Sequence, residues 1–152
     1  MEVEYTISDL QKRLEVWHKM GLSIGFVPTE GNLDQSSEAV IKQAKSENDK
    51  VVLSITAPHP NPGFESDCSF CANLGIDIIF SPGNDQLYPQ PFFTSLEVAN
   101  SGLNKFCLLL LKLFNIVRPT NAYFGHSDSD KITTIESMVN DLNQGVNIIF
   151  GE

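Results

Sequence analysis

Two kinds of chemistry can be written from the residue types in this sequence before any fold is assumed. Cys68 and Cys71 stand in a Cys-x-x-Cys spacing, the arrangement of redox dithiols and of half a structural zinc site. A structural zinc ion takes four ligands, yet no second Cys-x-x-Cys and no His-x-x-x-His follows, and Cys107 sits in an apolar run. A redox pair usually precedes or opens a helix, whereas these two fall inside one, so packing is the simpler reading. The second candidate is acidic. His126-Ser127-Asp128-Ser129-Asp130, joined by Glu30 and Asp34, offers oxygen ligands of the kind that hold magnesium or calcium. The same stretch also reads as a helix start, because Ser127, Asp128 and Ser129 are preferred N-caps and acidic groups favour a helix N-terminus. His18 and His59 have no partner that the sequence identifies, and the prolines around His59 suggest a stiffened loop.

The elements that must position these residues follow from periodicity and punctuation. Ser8 and Gln11 have capping-box spacing, with Leu10, Leu14 and Trp17 recurring at helical intervals up to Gly21. Leu22–Val27 reads as a strand that runs into the turn Pro28-Thr29-Glu30-Gly31. Ala39, Val40 and Ala44 mark an amphipathic helix from about Gln35 to Glu47, and Val51–Ala57 is a β-branched run suited to a strand buried on both faces. Three prolines between Pro58 and Gly63 end that run. Further helices are expected over Glu65–Leu74, Gly102–Val117 and Ser129–Leu142, and strands over Ile76–Phe80, Ala122–Gly125 and Val146–Phe150, with Asp85–Thr94 irregular. Apolar strands alternating with helices predict an α/β domain with a parallel sheet of five strands and right-handed crossovers. Ligands of such sheets bind beyond the carboxyl ends of the strands near a switch in strand order, which directs attention to Pro28–Ser37, Ala57–Phe64 and Gly125–Lys131.

Those segments carry a family resemblance. Ile24-Gly25-Phe26-Val27-Pro28-Thr29 with Gly31 and Leu33, Gly75-Ile76-Asp77, Phe80-Ser81-Pro82, Tyr88-Pro89, Lys112–Val117 and Ala122-Tyr123-Phe124-Gly125 occur in order. The chain resembles the pantothenate synthetases (pantoate–β-alanine ligases) over most of residues 22–150. The resemblance implies a Rossmann-like nucleotidyltransferase-type domain over 1–152, its five parallel strands in the order 3-2-1-4-5 with helices on both faces, matching the family's N-terminal domain, with the smaller C-terminal domain absent. It also implies a reaction that joins pantoate to β-alanine through a pantoyl-adenylate, with ATP and magnesium, and a first domain that takes part in homodimerisation.

At the site the sequence departs from the family pattern. Where the family reads P-T-M-G-x-L-H-x-G-H, this chain has Pro28-Thr29-Glu30-Gly31-Asn32-Leu33-Asp34-Gln35-Ser36-Ser37, so Asp34 and Ser37 replace both histidines and Glu30 the methionine. The family's N-P-T-Q-F has become Pro58-His59-Pro60-Asn61-Pro62, leaving Asn61 as the stand-in for the glutamine, and roughly a dozen residues that normally follow are missing, by comparison with the family pattern. The family's G-E-K-D-Y-Q reads Gly125-His126-Ser127-Asp128-Ser129-Asp130, with Ser127 in the lysine's place and Asp128 retained. Adenylation develops negative charge at the α-phosphate, and the positive donors that would meet it are replaced while carboxylates are added.

Composition narrows the function classes. A 152-residue chain with 41% hydrophobic and 19% charged residues is long enough for one self-supporting domain. Its net charge of −9 opposes nucleic acid and anionic membrane surfaces as partners. No apolar run approaches a membrane span, and the acidic start of the chain is unlike a secretory signal, so a cytoplasmic protein with reduced thiols is expected. The leading expectation is a non-catalytic binding or interaction module, as a homodimer or paired with an active synthetase. Its catalytic positions are replaced at Asp34, Ser37 and Ser127, and its residual cleft comprises Pro28, Thr29, Glu30, Gly31, Asp34, Asn61, Gly125 and Asp128. The alternatives are residual ligase or altered nucleotide chemistry, with ATP and magnesium bound only by a competent cleft, and an acidic cleft that takes a divalent metal or a small cationic ligand.

Overall fold

Val51, Val52, Leu53 and Ile55 are all fully buried, as a strand covered on both faces requires. They belong to β3 (Lys50–Ile55) of a parallel sheet whose other strands are β1 (Glu2–Glu4), β2 (Ile24–Thr29), β4 (Ile78–Phe80), β5 (Asn121–Phe124) and β6 (Asn147–Phe150). The computed structural model describes residues 1–151. The strand order is β1-β4-β3-β2-β5-β6, and every pair is parallel.

The sheet therefore has six strands rather than the five expected. The order of those five holds, and the addition is β1, which pairs with β4 at the edge. A three-residue Glu-Val-Glu segment carries no period long enough to read. It forms a strand because Val3 packs against the core while Arg13 holds Glu4 at 2.8 Å and Glu2 at 3.4 Å. These ion pairs lie at the surface and contribute modestly.

Six helices accompany the strands: α1 (Ile7–Lys19), α2 (Gln35–Glu47), α3 (Phe64–Asn73), α4 (Asn84–Leu87), α5 (Asn104–Val117) and α6 (Ile132–Asp141). One core face joins Leu10 and Leu14 of α1, Leu110 and Phe114 of α5, and Ile135 of α6 to Phe26 of β2. The opposite face joins Ile41 and Ala44 of α2 and Cys71 of α3 to Val51 and Leu53 of β3. Cys107 is fully buried within α5.

Two helix starts differ from expectation. The cap of α1 is Thr6, whose hydroxyl accepts from Asp9 N–H at 3.2 Å, so Ser8 already lies inside the helix. Ser127, Asp128 and Ser129 do not cap α6. His126–Asp128 forms a 3-10 turn instead, and α6 begins after Lys131 with no side-chain cap. The short helix α4 falls within a stretch expected to be irregular, where a single turn is below the length that periodicity can register. Among the described residues, no helix is long and apolar enough to cross a membrane.

Candidate functional site

The order of the sheet reverses at β2, which lies between β3 and β5. This is the topological position at which open α/β sheets bind ligands. The chain leaving β2 turns sharply there. Thr29 Oγ1 donates to the Ser54 carbonyl at 2.8 Å and accepts from Gly31 N–H at 3.2 Å, tying the turn to β3. Gly31 has φ +98°, and a Cβ at that position would come within 3.1 Å of Asp67 Oδ2 and 3.2 Å of Ile55 Cγ2. The positive φ favours glycine there, and a Cβ would also oblige Asp67 and Ile55 to give way by a few tenths of an ångström.

Asp67 is the residue that sequence reasoning missed. Its side chain comes from the first turns of α3, is 3% exposed, and accepts from Asn32 N–H at 2.9 Å and Leu33 N–H at 3.0 Å. A carboxylate in the first turns of a helix, taking two backbone donors, ties the turn after β2 to α3. Its sequence signal was slight: an acidic residue four positions after Gly63, in the manner of any first-turn acid.

The turn then delivers Asp34 as the N-cap of α2. Asp34 Oδ1 accepts from Ser36 N–H at 3.0 Å and Ser37 N–H at 3.3 Å, while Ser37 Oγ accepts from Asp34 N–H at 3.2 Å. These reciprocal bonds form a capping box. Hydrogen bonds from the Ser36 hydroxyl and then the Ser37 amide hold the Asp34 carboxyl below its ordinary pKa, so it is ionised.

From the other side of the switch, β5 ends at Phe124 and is followed by Gly125, where a Cβ would press within 3.0 Å of Val40 Cγ2 in α2. The 3-10 turn that follows carries Asp128 to the rim beside Lys131, whose Nζ lies 3.5 Å from Asp128, 3.8 Å from Asp130 and 5.4 Å from the centroid of the Phe106 ring. Burial pushes the Asp128 carboxyl upward; Lys131 opposes that shift, while Asp130 and Glu30 add to it.

The two arms enclose a cavity of about 390 Å³. Pro28, Thr29, Glu30, Gly31, Asp34 and Ser37 line it from the β2 side. Gly125, Ser127 and Asp128 line it from the β5 side. Its apolar wall comes from Leu109, Leu110 and Leu113 of α5, a helix that the sequence indicated without assigning it to a site. Asn61 does not line the cavity. It lies behind the Gly31 turn, with its side-chain oxygen accepting from Gly63 N–H at 3.2 Å. Of the three segments expected at the site, the first and third meet, while the proline-rich second is held back from the cavity.

No three His, Cys, Asp or Glu side chains converge as a metal-holding group among the described residues. His126, Asp128, Glu30 and Asp34 thus share a cleft without forming a coordination shell. Cys68 and Cys71 sit inside α3. Burial pushes the Cys71 thiol up to about 12 and raises Cys68 as well, the reverse of what a reactive pair needs. His59 donates to or accepts from Ser81 Oγ at 3.0 Å beneath the edge of Tyr5, away from the cavity.

The family model described as pantoate-beta-alanine ligase matches residues 2–152. The chain belongs to that family. Relatives include the pantothenate synthetase of Clostridium botulinum (strain Loch Maree / Type A3), 33% identical over 172 aligned residues that cover 98% of this chain and 61% of the relative. The pantothenate synthetase of Halalkalibacterium halodurans is 36% identical over 167 residues, covering 95% of this chain and 59% of its own length. Among solved structures, the pantoate-beta-alanine ligase of Francisella tularensis, complexed with beta-gamma ATP and beta-alanine, superposes with a TM-score of 0.90 at 27% identity, over 99% of this chain and 66% of that one. The pantothenate synthetase of Thermus thermophilus gives a TM-score of 0.87 at 27% identity, over 99% and 61%. This chain spans about three-fifths of the length of the curated relatives it matches. Alignments of 172 residues exceed the 152 of this chain, as gaps in it require.

Proposed function

We propose that this pantoate-beta-alanine ligase-like domain retains the family's cleft as a binding site and does not carry out adenylation. The observation that carries the reading is the charge lining the cavity. Three carboxylates, Glu30, Asp34 and Asp128, face one ammonium, Lys131, and that ammonium is already taken up by Asp128 and Asp130. Asp34 and Ser37, which stand where the family pattern has histidines, are spent on the cap of α2. Stabilising charge at a transferring phosphate takes preorganised positive donors, and losing one such donor commonly costs about 3–4 kcal/mol of transition-state stabilisation.

ATP with magnesium does not fit this donor set. Two like charges about 4 Å apart at an effective dielectric near 20 repel by about 4 kcal/mol, less at an exposed rim. No step of a ligase reaction is therefore assigned to these side chains. The likeness to the Francisella protein, whose structure holds beta-gamma ATP and beta-alanine, favours the second reading, a residual ligase that uses the Gly31 backbone and Asp128.

The two readings separate in a product assay. Purified chain supplied with ATP, magnesium, pantoate and β-alanine should yield no AMP or pantothenate above a protein-free blank. Pantothenate formation proportional to protein concentration would overturn the proposal in favour of the second reading.

A further inference from the structure

The wall and the rim of the cavity suit different parts of one ligand. At about 390 Å³ the cavity has the size of a small-molecule site, typically about 300–1,000 Å³. Leu109, Leu110 and Leu113 of α5, with Val40 of α2, present an apolar surface that gains from excluding water. At the rim Glu30 is exposed and pairs with no cation among the described residues, while the charge of Lys131 is already matched by Asp128 and Asp130. The absence of a three-ligand cluster among the described residues leaves charge and apolar contact, rather than coordination, as the means of recognition. We propose that the cavity takes a small amphiphilic organic cation, with its apolar body against α5 and its ammonium group at the rim beside Glu30 and Asp128. Burial is the first cause of the upward push on the Asp128 carboxyl; Lys131 opposes it, and Asp130 and Glu30 add to it from the same rim. This inference rests on the preceding reading of the cleft as a binding site without adenylation chemistry.

Hexylammonium, 1-hexanol and hexanoate carry one apolar body and the charges plus one, zero and minus one, so a calorimetric titration with each isolates the rim. Hexylammonium should bind saturably, at least about tenfold more tightly than hexanoate and ahead of hexanol, with its lead shrinking as salt shortens the Debye length from about 30 Å to about 8 Å. Glu30→Gln changes an exposed side chain and keeps the fold, as an unchanged melting temperature would verify; it should reduce the hexylammonium lead by about two- to fivefold, the scale of an exposed ion pair. Glu15→Gln, on the distant helix α1, should leave the ranking unchanged. Hexanoate binding as tightly as hexylammonium, no saturable binding of any of the three, or an unchanged lead in Glu30→Gln would each overturn the inference. Pantothenate formation by the same preparation would instead overturn the reading of the cleft as inactive, and is scored separately from the ranking of the three probes.

Discussion

Removing the Asp67 carboxylate should loosen the lip of the cavity and lower global stability together. The group is 3% exposed and takes two backbone donors, Asn32 N–H at 2.9 Å and Leu33 N–H at 3.0 Å. A hydrogen bond to a charged partner is worth about 1.5–3 kcal/mol, and a buried donor left alone costs about 1–3 kcal/mol. Asp67→Ala forfeits both bonds, so a loss of about 3–5 kcal/mol is expected; Asn32 is exposed and Leu33 half-buried, so their amides can regain water and the full penalty of a stranded donor is not added. For a protein of this size that lowers Tm by on the order of 10 °C. Asp67→Asn keeps one acceptor oxygen but turns an NH2 group toward the other amide, and should lose about half as much. Urea unfolding of the three proteins, with the slope m checked for constancy, gives the comparison directly. A loss below about 1 kcal/mol in Asp67→Ala would show that the turn does not depend on this clamp.

Four further predictions test neighbouring parts of the account. Gly31→Ala must hold a Cβ at φ +98° against Asp67 Oδ2 and Ile55 Cγ2, and should lose about 1–3 kcal/mol in the same unfolding assay; a neutral result would contradict the turn geometry. The Asp34 cap titrates. Its folded pKa is depressed, so its contribution is complete above the unfolded value of about 3.9 and disappears as pH falls through the lower folded value. Asp34→Ser keeps a capping oxygen but should lack this acid-dependent loss in unfolding curves taken across that window. Asp128 has the opposite sign: its raised folded pKa means that the ionised group detracts from stability at neutral pH, a deficit that fades as pH falls through the folded value toward about 3.9. Asp128→Asn should therefore melt higher than the parent at neutral pH and lose that advantage in acid. The thiols of Cys68 and Cys71, raised by burial, should react with a disulfide reagent only slowly in the folded protein and quickly once it is unfolded; rapid native labelling of both would revive the redox reading.

Much of the frame was legible because its signals are long. Alternation of β-branched runs with helical periods indicated five parallel strands, the family resemblance supplied the order that the sheet retains for them, and α2 spans Gln35–Glu47 as its amphipathic pattern indicates. Short or cooperative features were not legible. β1 is held by Val3 and by Arg13 from another element, and α4 is a single turn, so neither leaves a periodic trace. The site was legible by segment and less so by residue. The ends of β2 and β5 meet at the topological switch, whereas Asn61 turns away because its carboxamide is engaged with Gly63. The choice of Thr6 over Ser8 as the cap of α1, and of a 3-10 turn over a cap at Asp128, depends on backbone direction, which residue preference alone does not encode. Asp67 was invisible for a related reason: its partners lie 34 and 35 positions away in sequence.

On the proposed reading, the cleft presents too little positive charge to hold a nucleoside triphosphate. Isothermal titration of the purified chain with ATP–magnesium, at physiological salt, measures this. No saturable heat is expected from ATP–magnesium, with or without pantoate present. A stoichiometric, saturable isotherm that is lost on Lys131→Ala would contradict it, because it would show that Lys131 remains free to meet a phosphate despite Asp128 and Asp130.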